Sequence, residues 1–246
     1  MVQQLNAERI KLATVRSTWW SALITVVSSA AIALIIALNL RGGDTDSSAE
    51  TLTGLFFFAA QIAQIAIMCM AIMVTASEYK FGVIRLTFQA NPHRWVVLIA
   101  KALVILVFSF VVGMLTALAC IGIAKPLLKD GVPLNLGDDQ VGRMLLGLGL
   151  YFAVSALMAA SVGALLRNSS VAIPIVIVWS LIVEKVLVGI EATRGFGEHL
   201  PFFAGALITQ QRDDEFMAPL SGFGLFCLYT LAVFLIAVIV TENRDA

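Results

Sequence analysis

Ser77–Trp95, SEYKFGVIRLTFQANPHRW, interrupts two long apolar runs, 52–76 and 96–124, with patterned charge. It carries Glu78, Lys80, Arg85, His93 and Arg94 and holds the pair Asn91-Pro92. That pair stops a helix, because proline drives the residue before it out of the α region. A bare connection between two membrane helices needs only a few polar residues. Nineteen residues carrying both signs of charge instead suggest a segment, helix-compatible up to Asn91, that something on the inner side of the membrane holds.

The rest of the chain supplies the membrane setting. Its 246 residues are 60% apolar and only 13% charged, where an ordinary soluble domain carries roughly 25% charge. Mean hydropathy is +0.95. A bilayer core of about 30 Å takes about 20 apolar residues as a helix. By that measure six spans are expected, at 19–40, 52–76, 96–124, 141–165, 171–190 and 223–241. The third exceeds one crossing, so its ends reach into the interface or the helix tilts. Too little sequence remains for a soluble domain. The expected fold is therefore all-α, a single polytopic membrane domain over 1–246. The first span follows some eighteen residues bearing Glu8, Arg9, Lys11 and Arg16, and its apolar run is too long for a signal-peptide core, so it is expected to stay as a helix.

Charge sets the expected orientation. With the N-terminus inside, the inner segments hold Arg9, Lys11, Arg16, Lys80, Arg85, Arg94, Lys101, Arg167 and Arg244, nine of the 16 basic residues. The first outer loop, 41–51, has only Arg41. Positive residues concentrate on the cytoplasmic side, so both termini are expected there, in a multi-pass protein of the cell membrane.

Several positions stand out along the chain. Residues 3–18 alternate Leu5, Ile10, Leu12 and Val15 with charge. This suits a helix lying in the interface whose Arg and Lys reach lipid headgroups, and Trp19-Trp20 marks the water–lipid boundary. Gln61 and Gln64, three apart, share one face of the second span. Amides in hydrocarbon need partners, either a neighbouring helix or a wet cavity that they line. Ser109, Gly113 and Ala117 in the third span, and Ser155, Ala159 and Gly163 in the fourth, are small residues at four-residue spacing, expected to pack face to face. Pro174 lies near the start of the fifth span, where a missing N–H costs least. Glu184 and Lys185, late in that span, are expected to snorkel to the outer interface. The outer connection 191–222 holds an apolar stretch, Leu200–Thr209, bracketed by Pro201 and Pro219. Ten residues are too few to span, which suggests a re-entrant or interfacial piece, part of an outer gate. Cys69, Cys120 and Cys227 fall in different spans, as buried thiols rather than a disulfide framework or metal site.

Motifs for soluble chemistry are missing. The sequence has no G-x-x-x-x-G-K-[ST] phosphate loop, no H-E-x-x-H, no G-x-S-x-G elbow and no K⁺-filter loop. Its two histidines, His93 and His199, fall on opposite sides of the expected topology. No catalytic or metal-ligating set is expected.

Two inner segments carry a resemblance. Glu8, Lys11, Arg16-Ser17-Thr18 and Trp20, and then Glu78-Tyr79, Gly82, Arg85, Pro92, Arg94 and Lys101, resemble the corresponding segments of ABC-2-type transporter permeases, particularly small actinobacterial ones. Val83 and Gln89-Ala90-Asn91 depart from that pattern. The resemblance implies a permease that dimerises, with itself or a paralogue, and pairs with separate ATP-binding ABC ATPase subunits. Those subunits would hold ATP and Mg, leaving this chain with no cofactor and no enzymatic activity of its own. It implies that 77–95 is a coupling helix, with Glu78, Tyr79, Gly82, Arg85, Pro92 and Arg94 contacting the ATPase. The interfacial helix, with Glu8, Lys11, Arg16 and Trp20, would flank them. The cargo expected from such apolar spans is hydrophobic or amphipathic: a drug, lipid or peptide. Bilayer lipid is the other partner, and nucleic acid is not one. The alternative is a membrane channel or scaffold without ATP-coupled transport, told apart by whether an ATPase partner is required.

Overall fold

The computed structural model describes residues 1–40, 48–90, 93–127, 139–210 and 216–243. Among them there is no strand, and six helices are long and apolar enough to cross a membrane. The architecture is all-α and polytopic. Helix α1 (Val2–Thr14) leads into α2 (Arg16–Leu40), and α3 (Ser48–Lys80) into the short α4 (Val83–Ala90). Then follow α5 (Arg94–Ala124), α6 (Asp139–Leu166), α7 (Ser169–Val178) and α8 (Glu184–Gly189). The last elements are α9 (Arg194–Gly197), α10 (Pro201–Ala206) and α11 (Pro219–Asn243). The spans expected from sequence all lie on these helices.

Helices α3, α5 and α6 form the centre, interlocking Ile67, Met68 and Ile72 with Ile105 and Val112, and with Met144, Leu148 and Phe152. The remaining spans, on α2, α7–α8 and α11, surround them with most of their apolar surface outward, the arrangement that lipid permits. Close approach depends on small residues. A Cβ on Gly113 would lie 2.8 Å from the Gly149 Cα and 2.9 Å from the Leu148 carbonyl oxygen. The small face of α5 therefore meets α6, but one stretch earlier than the expected Ser155–Ala159–Gly163 face. Gly163 instead backs onto Ile72 of α3, because α6 is central and must serve two neighbours.

Local signals place the breaks. Gly82 ends α3 with φ +68°, a conformation glycine adopts without strain. Phe81 N–H bonds the Ser77 carbonyl and Gly82 N–H the Tyr79 carbonyl as the chain turns into α4. At the α6–α7 turn, Asn168 caps α7 by accepting the Ser170 N–H at 3.0 Å. Pro174 sits in the second turn of α7 rather than at its start, since the helix already begins at Ser169. Between α7 and α8 the chain widens into a π-helical turn, Trp179–Val183. Such a turn adds one residue to the period and rotates everything that follows.

Candidate functional site

At one end of the bundle four charges close into a ring. Glu8 of α1 and Glu78 of α3 alternate with Lys11 of α1 and Lys101 of α5. Lys11 Nζ lies 2.9 Å from Glu8 and 3.2 Å from Glu78, and Lys101 Nζ lies 2.9 Å from each carboxylate. The side chains of Lys101 and Glu8 are 4% and 2% exposed, and that of Lys11 is 37% exposed. Lys101 is held between the two acids as an ion pair to each. Each acid touches both bases, which is what burial at this depth requires.

The ring's charges act on the proton affinities of its α1 members. Burial pushes the Glu8 carboxyl up, but the Lys101 charge, and then Lys11, outweigh it and hold the group below its ordinary 4.5. For Lys11 burial works downward, yet hydrogen bonding to Glu8 and the charges of Glu78 and Glu8 raise it above 10.5. Beside the ring runs a cleft of about 210 Å³, lined on its apolar side by Leu12, Val15, Met73 and Val74.

Further contacts tie the same end together. The Arg94 guanidinium lies 5.2 Å from the Phe88 ring centroid of α4 and donates to the Thr241 carbonyl of α11 at 3.1 Å. Arg167, in the α6–α7 turn, lies over Tyr79 at 5.2 Å. Trp19 donates to the Ala13 carbonyl at 2.8 Å and meets Phe108 edge-on. Helix α4 itself buries Ile84 but leaves Leu86 67% exposed, and Phe81 in the preceding turn 73% exposed.

The structure thus brings Glu8, Lys11 and Glu78 together, while Tyr79 meets Arg167, Arg94 meets Phe88 and Thr241, and Gly82 makes the turn into α4. Arg16 and Trp20 stay exposed at the start of α2. The Arg85 side chain and Pro92 lie outside the described residues, as do the charged run 212–215 and the connecting stretches 41–47 and 128–138. Lys11 departs from expectation: its ammonium turns inward to two carboxylates rather than serving lipid headgroups alone.

A second polar constellation lies within the bundle. Gln64, fully buried, accepts from the Tyr151 hydroxyl at 2.7 Å and donates to the Met68 sulfur at 3.7 Å. This is interhelical bonding, α6 to α3. Gln61, on the same helix, is half-buried. Neither amide lines the cleft beside the charge ring.

Glu184 corrects the snorkelling expectation. It is wholly buried. Its carboxylate accepts Trp179 Nε1–H at 2.9 Å, Phe202 N–H at 3.3 Å and Phe203 N–H at 2.7 Å. It follows directly on the wide turn Trp179–Val183. Lys185 lies over the Phe203 ring at 5.2 Å. The stretch 200–209 folds as α10 and a 3₁₀ turn, Leu207–Thr209, buried against α6 and α11.

No protein-family model matches the chain, and no curated protein matches it significantly.

Sequence reasoning missed Lys101 as a member of the ring, though the signal was present. A lysine well inside an apolar run needs a carboxylate, and Glu8 and Glu78 are the acids nearest the same membrane face. Nothing in the sequence marked Tyr151 as the partner of Gln64.

Proposed function

We propose that the chain is the permease subunit of an ATP-driven ABC transporter, exporting a hydrophobic or amphipathic molecule. It would act as one of a permease pair and with a separate ATPase. The observation that carries this reading is α4. A short helix stands at the end of the bundle with Phe81 and Leu86 outward, and its root is fixed by the Glu8–Lys11–Glu78–Lys101 ring to α1, α3 and α5. A loop that only set topology would need neither the exposed apolar face nor the buried anchorage.

In this reading both termini and α4 face the cytoplasm of a cell membrane. Closure of the ATPase dimer on ATP pushes α4. The ring passes the displacement to α3 and α5 as rigid bodies, and the cargo path opens between the two permease subunits. Transmission of this kind needs discrete packings that nucleotide biases, and a buried ring that is stable only when complete supplies a stiff joint. The resemblance of 8–20 and 78–101 to ABC-2-type permeases supports the same assignment.

The test is purification of tagged protein in mild detergent from its native membrane, beside Leu86→Glu. Wild type is expected to bring a phosphate-loop ATPase with measurable activity, and Leu86→Glu to lose it while still folding. Wild type arriving without any ATPase would favour the channel or scaffold alternative.

A further inference from the structure

We infer that Glu184 is a positioning residue that latches the segment Leu200–Thr209 shut between α6 and α11, making this segment a gate released by movement of the α7–α8 span. The inference rests on the permease reading for the path that is closed, while its test reads the closure itself and needs no ATPase.

Three observations lead to it. First, the segment is buried along its length yet too short to cross a membrane. A helical piece this short, six α-helical residues and a three-residue 3₁₀ turn, leaves end N–H and C=O groups that need partners when it is buried in protein. Glycines let it approach closely. A Cβ on Gly147 would lie 2.7 Å from the Ile208 carbonyl oxygen, one on Gly222 would lie 2.6 Å from that of Ala204, and one on Gly205 would run into the Phe226 ring.

Second, the segment's own N-cap, Leu200, offers no side-chain acceptor. The N–H groups of Phe202 and Phe203 are taken by the two oxygens of Glu184, from another helix. Proline at the first helical position has no N–H to satisfy, so these two donors are the ones that need a cap.

Third, the dependence is mutual. A buried carboxylate is stable only while its lone pairs are filled. If the segment left, Glu184 would keep Trp179 alone among the three donors named. The closed state is therefore held from both sides, and a shift of α8 by about one 5.4 Å turn would undo both N–H bonds together. Lys185, over Phe203, adds a second grip from the same helix.

The experiment reads the accessibility of Thr209, fully buried at the far end of the segment. Thr209→Cys is made with Cys69 and Cys227 replaced by alanine. Cys120, native and buried in α5, stays as the internal control. Open membrane fragments expose both faces to a bulky polar maleimide. Against an unchanged Glu184, Glu184→Ala is expected to raise labelling at position 209 roughly tenfold, in line with the loss of a helix cap, with Cys120 still protected. Glu184→Gln keeps one acceptor oxygen and is expected to fall between. Equal labelling at 209 with and without Glu184 overturns the latch, and so does a matching rise at Cys120, which would mean general loosening. Should Glu184→Ala fail to accumulate, Glu184→Gln decides: faster labelling at 209 alone supports the latch, and an unchanged rate overturns it.

Discussion

At the residue scale, single polar atoms at membrane depth carry much of the specificity of this fold. Tyr151 is an example. Its ring packs among Phe152, Phe202 and Phe226, and its hydroxyl meets Gln64 of α3. Tyr151→Phe keeps the packing and leaves the amide oxygen of Gln64 without that donor. An unsatisfied buried acceptor costs about 1–3 kcal/mol, so thermal unfolding in detergent should show a loss in that range, and the Tyr151→Phe/Gln64→Leu pair should recover part of it. An unchanged midpoint in Tyr151→Phe would mean the bond contributes nothing. Gln64 was legible as a residue in need of a partner, because amides are conspicuous in hydrocarbon. Tyr151 was not, since a tyrosine in an apolar run reads as core until its neighbour across the bundle is known.

At the element scale, the charge ring binds α1 to the spans. Removing one member of a buried pair leaves an uncompensated charge, worth about 3–5 kcal/mol. Lys101→Ala leaves Glu8 and Glu78 with only the half-exposed Lys11, and should lower stability by about 3 kcal/mol. Because the members touch, Glu8→Gln/Lys101→Met should cost less than the sum of its single changes. An additive double mutant would contradict the ring.

The pH dependence of α1 docking follows from its two titrating members. Glu8 is held below 4.5, so its contribution is present above that value and is lost as pH falls through the lower folded value. Lys11 is raised above 10.5, so its contribution is present below that and is lost as pH rises through the higher folded value. A nitroxide at exposed Ile10 should stay immobile through the neutral range and loosen first in acid. Loosening between pH 6 and about 8 would contradict this account, because neither group titrates there.

The helical elements were legible from the sequence because twenty-residue apolar runs admit few other structures in a bilayer. Their pairings were not. The stripe Ser155–Ala159–Gly163 was expected against α5, yet the close approach to α5 falls at Leu148 and Gly149, and Gly163 meets Ile72 of α3 at ordinary contact distance, since a central helix turns small residues to both sides. The direction of Glu184 was hidden for another reason: its partners are the N–H groups of Phe202 and Phe203, 18 and 19 residues further on, and no residue type announces such a cap.

At the scale of the whole molecule, the polar joints divide between two regions. One end carries the ring, α4, Arg94 with Thr241 and Arg167 with Tyr79. The other region carries Glu184 and the buried segment 200–209. Helices α3, α5 and α6 run between them as the packed core. On the proposed reading, force would enter at α4 and the gate would open in the other region.

The most direct test of that account is a photo-crosslinking amino acid placed at Leu86 and irradiated in native membranes. The account predicts an adduct with a phosphate-loop ATPase, diminished by Phe81→Glu. Adducts with lipid alone would contradict it, because α4 would then lie against the bilayer and have no partner to transmit from.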